Sequence, residues 1–116
     1  MPPDATLEEF FWQHVVAERQ QSAAVVDRER YLGVIRGTDL AGVPREQWAT
    51  TPVDALTMRD IPVATLAWRI VDALRAMEAA GAEMMPVCDD GRFVGVVRAH
   101  ELVRLEEVLE ALGPKG

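Results

Sequence analysis

Ten residues of this chain are used twice. Tyr31-Leu32-Gly33-Val34-Ile35-Arg36-Gly37-Thr38-Asp39-Leu40 returns as Phe93-Val94-Gly95-Val96-Val97-Arg98-Ala99-His100-Glu101-Leu102, 62 positions later (95 − 33 for the shared glycine). Seven positions keep their character: an aromatic, an aliphatic, Gly, two β-branched residues, an acid and Leu. An eighth, Arg36 and Arg98, is identical. A repeat of this length means one supersecondary unit built twice, and any fold for the chain must accommodate both copies.

The whole chain of 116 residues suits one domain, or two small units sharing a core. A chain of that size buries roughly two-thirds of its unfolded surface and needs no staples. The 49% hydrophobic and 27% charged content is ordinary for a soluble globular protein. A net charge of −7 with no basic face argues against nucleic acid and against direct contact with an anionic membrane. The lone Cys88 has no partner for an internal disulfide and lies in an expected strand, so it reads as a core thiol in a reducing compartment. No signal peptide and no apolar run long enough to span a bilayer is present.

Thr6 and Glu9 have capping-box spacing at the start of a helix. Leu7, Phe10, Phe11, His14 and Val15 share one face of it, His14 as a packed imidazole. Trp12 and Val16 form a second apolar strip. Ser22–Val26 and Tyr31–Ile35 read as a hairpin, followed by a short helix from about Thr38 and a turn opened by Pro44. The second copy opens with an extended Ile61–Ala64. Thr65 is the expected cap of a helix to about Ala80, with Leu66, Ile70, Leu74 and Met77 on its core face and Trp68 off it. Gly81 is placed to stop that helix. Met84–Cys88, the Asp89-Asp90-Gly91 turn and Phe93–Val97 form the second hairpin. The last helix carries Leu102, Leu105, Leu109 and Leu112, with Glu106, Glu107 and Glu110 outward, and Gly113-Pro114 ends it.

Each copy thus reads helix, strand, strand, helix, with an extra short strand before the second. The first copy lacks that strand, and the expected source is sequence preceding Met1 in a longer parent protein. This pattern, with Gly-aliphatic-aliphatic-x-x-x-acid-Leu at each last strand–helix junction, resembles the cystathionine-β-synthase (CBS) domain. The expected fold is α+β, a tandem CBS pair of two β-α-β-β-α repeats. Its expected parts are repeat 1 over residues 1–43, a linker over 44–58, repeat 2 over 59–112 and a tail over 113–116. A narrower likeness covers Asp39 to Thr51, which is similar to the connector in CBS pairs appended to bacterial site-2-type membrane zinc metalloproteases.

The resemblance implies a regulatory module that takes AMP, ADP, ATP or S-adenosylmethionine in clefts. The family's junction acid holds ribose hydroxyls, which maps onto Asp39 and, one methylene longer, Glu101. A Ser or Thr normally stands three residues earlier, and here Arg36 and Arg98 replace it. Arginine is a poor N-cap, costing about 1 kcal/mol against Ser or Thr, and its charge opposes the helix dipole. Three readings stand: ion pairs Arg36–Asp39 and Arg98–Glu101; a shifted cap at Thr38; or a phosphate fork. Val63, Ala64, Met85 and Pro86 are the further candidate cleft residues, and Met85 and Pro86 serve equally as plain core.

No Ser, His and Asp form a credible catalytic arrangement. His14 and His100 lack companions at metal-ligand spacing, and the protease's own His-Glu-x-x-His is absent. The chain is therefore expected to be non-catalytic and metal-free, and to control an effector domain of the same parent chain from the cytoplasm. The alternative is a ligand-free assembly module. Either way a homodimer is expected, with Trp12, Val16 and Trp68 as candidate interface residues.

Overall fold

A computed structural model describes residues 1–113 of the chain, apart from the side chain of Glu106. The expected end of the tail from Pro114 and the expected outward side chain of Glu106 lie outside the described residues. The chain forms two compact units. Unit 1 comprises Met1–Ile61 with Gly91–Phe93, and unit 2 comprises Pro62–Asp90 with the residues from Val94 on.

Unit 1 begins with α1 (Leu7–Phe10), set by the anticipated capping box. The Glu9 N–H donates to Thr6 Oγ1 at 3.1 Å, and the Thr6 N–H donates to Glu9 Oε1 at 3.1 Å. These bonds satisfy donors that a first helical turn otherwise leaves open. The helix continues as a π-helical segment, Phe11–Ala17. β1 (Ser22–Asp27) and β2 (Arg30–Arg36) pair antiparallel, Ser22 opposite Arg36, with an irregularity after Val25. Leu7, Phe10, Val25, Ile35, Leu40 and Val53 form the core.

The segment expected to be a linker packs onto this core. Val53 is fully buried, and Trp48 and Leu56 lie against the cluster. Met58 pairs with Val34 in both directions, each bond 2.8 Å. That approach fixes the residue at position 33, because a Cβ on Gly33 would lie 2.3 Å from the Met58 carbonyl oxygen. The Arg45 guanidinium stacks on Trp48 at 4.6 Å and pairs with Glu8 at 2.6 Å. The tip of the second hairpin belongs to this unit: Phe93 donates its N–H to the Glu29 carbonyl at 2.7 Å and stacks on Tyr31.

Unit 2 contains α2 (Ile70–Ala80), β3 (Met84–Asp89), β4 (Arg92–Arg98, its first residues at the tip just described) and α3 (Ala99–Ala111). Gly81 stops α2 in the left-handed conformation, φ 64°. Asp90 and Gly91 both take positive φ, 52° and 80°, as a tight hairpin turn requires. Ala64, Ala73, Met77, Met85 and Leu102 form the core.

Two expectations fail here. The helix does not start at Thr65 but after Arg69, and Leu66 is 66% exposed instead of lining the core. Thr65 makes a local turn, its Oγ1 accepting from the Ala67 N–H at 3.3 Å and its carbonyl from the Trp68 N–H at 3.2 Å. Leu105, Leu109 and Leu112 on the last helix are exposed, and Leu102 alone of the four is buried.

The two units differ by one residue inside the first helix. Ala64 donates its N–H to the Pro86 carbonyl and accepts from the Cys88 N–H, both at 2.9 Å. Met1 makes the same two bonds in unit 1, its ammonium donating to the Ala24 carbonyl at 3.1 Å and its carbonyl accepting from the Val26 N–H at 2.8 Å. The offset is therefore 63 before the helix (64 − 1) and 62 after it (86 − 24). The π-helical segment absorbs the extra residue. Gln20 bonds back six positions to the His14 carbonyl, whereas Ala82 bonds back five to that of Met77. Such one-residue expansions are the usual origin of short π-helices. Met1 is thus the unit 1 counterpart of Ala64.

Candidate functional site

The candidate site residues gather at the strand–helix junction of each unit. In unit 1, β2 ends at Arg36, and a 3-10 helix, Gly37–Gly42, follows. The Gly37 N–H donates to the Gln21 carbonyl at 2.7 Å, which pins the junction to the residue before β1. Arg36 folds over the first turn and clasps Asp39 with two bonds, Nη2 to Oδ1 at 3.1 Å and Nε to Oδ2 at 3.4 Å. Thr38 is exposed and the junction has no side-chain cap, so the shifted-cap reading fails. The ion-pair reading holds here.

In unit 2, Arg98 ends β4 with nearly the same backbone as Arg36, φ −114° and ψ 143° against −111° and 143°. The Ala99 N–H donates to the Glu83 carbonyl at 3.0 Å, repeating the Gly37–Gln21 bond. The arginine itself turns elsewhere. Its Nη1 bonds Glu83 Oε1 at 3.3 Å rather than the expected Glu101. Position 83 is the counterpart of position 21. An acid there gives the guanidinium a carboxylate beside β3, and Gln21 offers none. Glu101 stands exposed on α3, and no described side chain bonds to it.

The remaining candidates divide. Ala64 and Pro86 are joined by the backbone bond described above, and Val63 beside them is half-buried. Met85 and Pro86 are fully buried, Met85 within the unit 2 core. Burial pushes the Cys88 thiol above its ordinary pKa, away from thiolate chemistry. Trp12 and Val16 are exposed on the π-helical segment of unit 1. Trp68 is exposed in unit 2, on a groove of about 370 Å³ that Asp72 and Arg75 also line. Among the described residues, no three His, Cys, Asp or Glu side chains are grouped to hold a metal.

Sequence reasoning missed Glu83 and Gln21. Extending the 62-residue repeat backwards through the hairpin would have paired them.

Comparison with known proteins agrees with this architecture. The family model described as the CBS domain matches residues 53–108. No curated protein sequence matches the chain. Among solved structures, CBSX2 in complex with AMP superposes with a TM-score of 0.82 at 19% identity, covering 95% of this chain and 87% of its own. The CBS domains of a transcriptional regulator from Streptococcus pneumoniae give 0.76 at 22% identity, covering 89% and 84%. The CBS domain of a bacterial CNNM/CorC-family Mg2+ transporter in complex with ATP gives 0.74 at 20% identity, covering 93% and 76%. At such identities the likeness is one of fold. Residues 53–108 thus match the CBS-domain family model, and the chain as a whole has the α+β fold of the solved CBS-domain structures.

Proposed function

We propose that the chain is a non-catalytic regulatory CBS-pair module that senses an adenine nucleotide. The observation that carries this reading is the repeated junction. Asp39 and Glu101 stand at the same place in two units, each with an arginine three residues before it on the closing strand. A carboxylate accepts hydroxyl donors such as those of a ribose, and arginine meets phosphate with a bidentate fork. The AMP and ATP complexes of proteins with this fold support the ligand class.

Regulation follows if the ligand prefers one of two states, since only differential affinity shifts an equilibrium. The attached effector is an intramembrane-type zinc metalloprotease, on the likeness of residues 39–51 to that family's connector. The chain itself would act as its cytosolic domain, and no helix among the described residues is long and apolar enough to cross a membrane.

Thermal-shift titration with AMP, ADP, ATP and S-adenosylmethionine tests the sensor. A ligand at a hundredfold over its dissociation constant adds about 2.7 kcal/mol, a shift of several degrees. No shift with any of the four rejects it in favour of a ligand-free assembly module. That second reading draws on exposed Trp12 and Val16 in unit 1 and Trp68 in unit 2. It expects a homodimer by light scattering that Trp12→Glu converts to monomers without unfolding.

A further inference from the structure

The two junctions share an arginine with the same backbone conformation and an acid three residues on, yet their side chains are connected differently. In unit 1 the acid is taken: Asp39 receives both bonds from Arg36, and its side chain is 22% exposed. In unit 2 the acid is open: Arg98, its side chain only 12% exposed, is held by Glu83. Of the differences between them, the one within reach of the arginine from across the hairpin is Gln21 against Glu83, each anchored by the same backbone bond. A neutral amide cannot compete for a guanidinium with a carboxylate three residues along the chain. A carboxylate at that position can.

We infer that Glu83 is a specificity-determining positioning residue: by holding Arg98 away from Glu101 it leaves unit 2 as the open site for the vicinal hydroxyls of a nucleoside, while Arg36 closes Asp39 in unit 1. The inference rests on the nucleotide-sensing reading above and adds which acid engages the ligand and what controls it. Binding a diol at Asp39 first requires breaking two charge-assisted bonds. Binding at Glu101 breaks no bond to a described side chain. Adenosine, which carries the diol without a phosphate, isolates this contact from any contribution of the arginines to anion binding.

Calorimetry with adenosine and with AMP on the intact chain tests it through stoichiometry as well as affinity. The unmodified protein should bind one adenosine. Glu101→Gln should abolish that binding, and Asp39→Asn should weaken it far less. Glu83→Gln should let Arg98 fold onto Glu101 and weaken adenosine about tenfold, the scale of one hydrogen bond to a charged group. Gln21→Glu should draw Arg36 off Asp39 and raise the stoichiometry from one to two. All four positions are at the surface or partly exposed, and an unchanged melting temperature without ligand shows that a variant has folded. Adenosine binding lost in Asp39→Asn and kept in Glu101→Gln overturns the inference while leaving nucleotide sensing intact. An affinity indifferent to residue 83 also overturns it. Binding of neither adenosine nor AMP overturns the sensing reading and this inference with it.

Discussion

Unit 1 and unit 2 are built on one repeated pattern, but the repeated hairpin strand is covered in unit 1 and open in unit 2. In unit 1, β2 buries Gly33, Val34 and Ile35 in succession. In unit 2, the matching strand β4 alternates, leaving Val94 and Val96 exposed. The hairpins do not cause this difference; the segment that follows the first one does. Residues 43–58 turn back over unit 1, bury Val53, seat Trp48 and pair Met58 with Val34. Exposed Val96 stands at the repeat position of Val34, which is buried in unit 1. A repeat therefore specifies a local shape, while its cover is specified by chain outside the repeat.

The largest expected effect tests that asymmetry in the cores. Phe10 is fully buried and Leu109 is half exposed. Phe10→Ala should cost about 3–5 kcal/mol in denaturant unfolding. Leu109→Ala should stay within about 0.5 kcal/mol. Equal losses would mean that α3 has a cover in solution and would erase the contrast. The two repeat glycines sharpen it further. Gly33→Ala drives a methyl into the Met58 backbone and should cost about 3 kcal/mol, at the upper end for overpacking. A Cβ on Gly95 meets nothing within 4 Å, so Gly95→Ala should be neutral or slightly stabilising.

What could be read from the sequence follows from what is local. The capping box at Thr6, the Asp90-Gly91 turn and the Gly81 stop depend on a few neighbouring residues, and all three are present. Thr65 misled because the hydroxyl that caps a helix also closes a free turn, and here Ala67 takes it. Leu105, Leu109 and Leu112 fit a helical stripe, but periodicity reports a face and not what lies against it. At the site, the types and places of Arg36, Asp39, Arg98 and Glu101 were legible from the repeat. The partner of each arginine was not, because it depends on Gln21 and Glu83, across the hairpin from the motif.

The one-residue expansion in unit 1 gives a third contrast. Deleting exposed Ala17 should let the π-helical segment relax to an α-helix that meets β1 in the unit 2 register. Deleting exposed Ala79 from α2 leaves no surplus to absorb the loss and rotates Gly81 and β3 out of place. The first deletion should change stability by under about 1 kcal/mol, and the second should cost about 1–3 kcal/mol. Equal costs in thermal melts would show that the expansion is as firmly built as the regular helix.

The smallest expected effect lies at the first residue, where Met1 and Ala64 make the same bonds with different chemistry. Ala64 donates an amide N–H, while Met1 donates an ammonium that burial pushes below its ordinary pKa near 8. A group whose pKa is lowered by folding binds fewer protons in the native state across the interval between its folded and unfolded values. Stability therefore rises with pH through that interval, is fully gained above about 8, and is lost as pH falls through the folded value. Acetylating the N-terminus replaces the ammonium with an amide like that of Ala64. The melting temperature of the acetylated chain should lose this rise and should match or exceed that of the free chain at neutral pH. A rise with pH that survives acetylation would place its origin in another group, and the equivalence of Met1 with Ala64 would then rest on hydrogen-bond geometry alone.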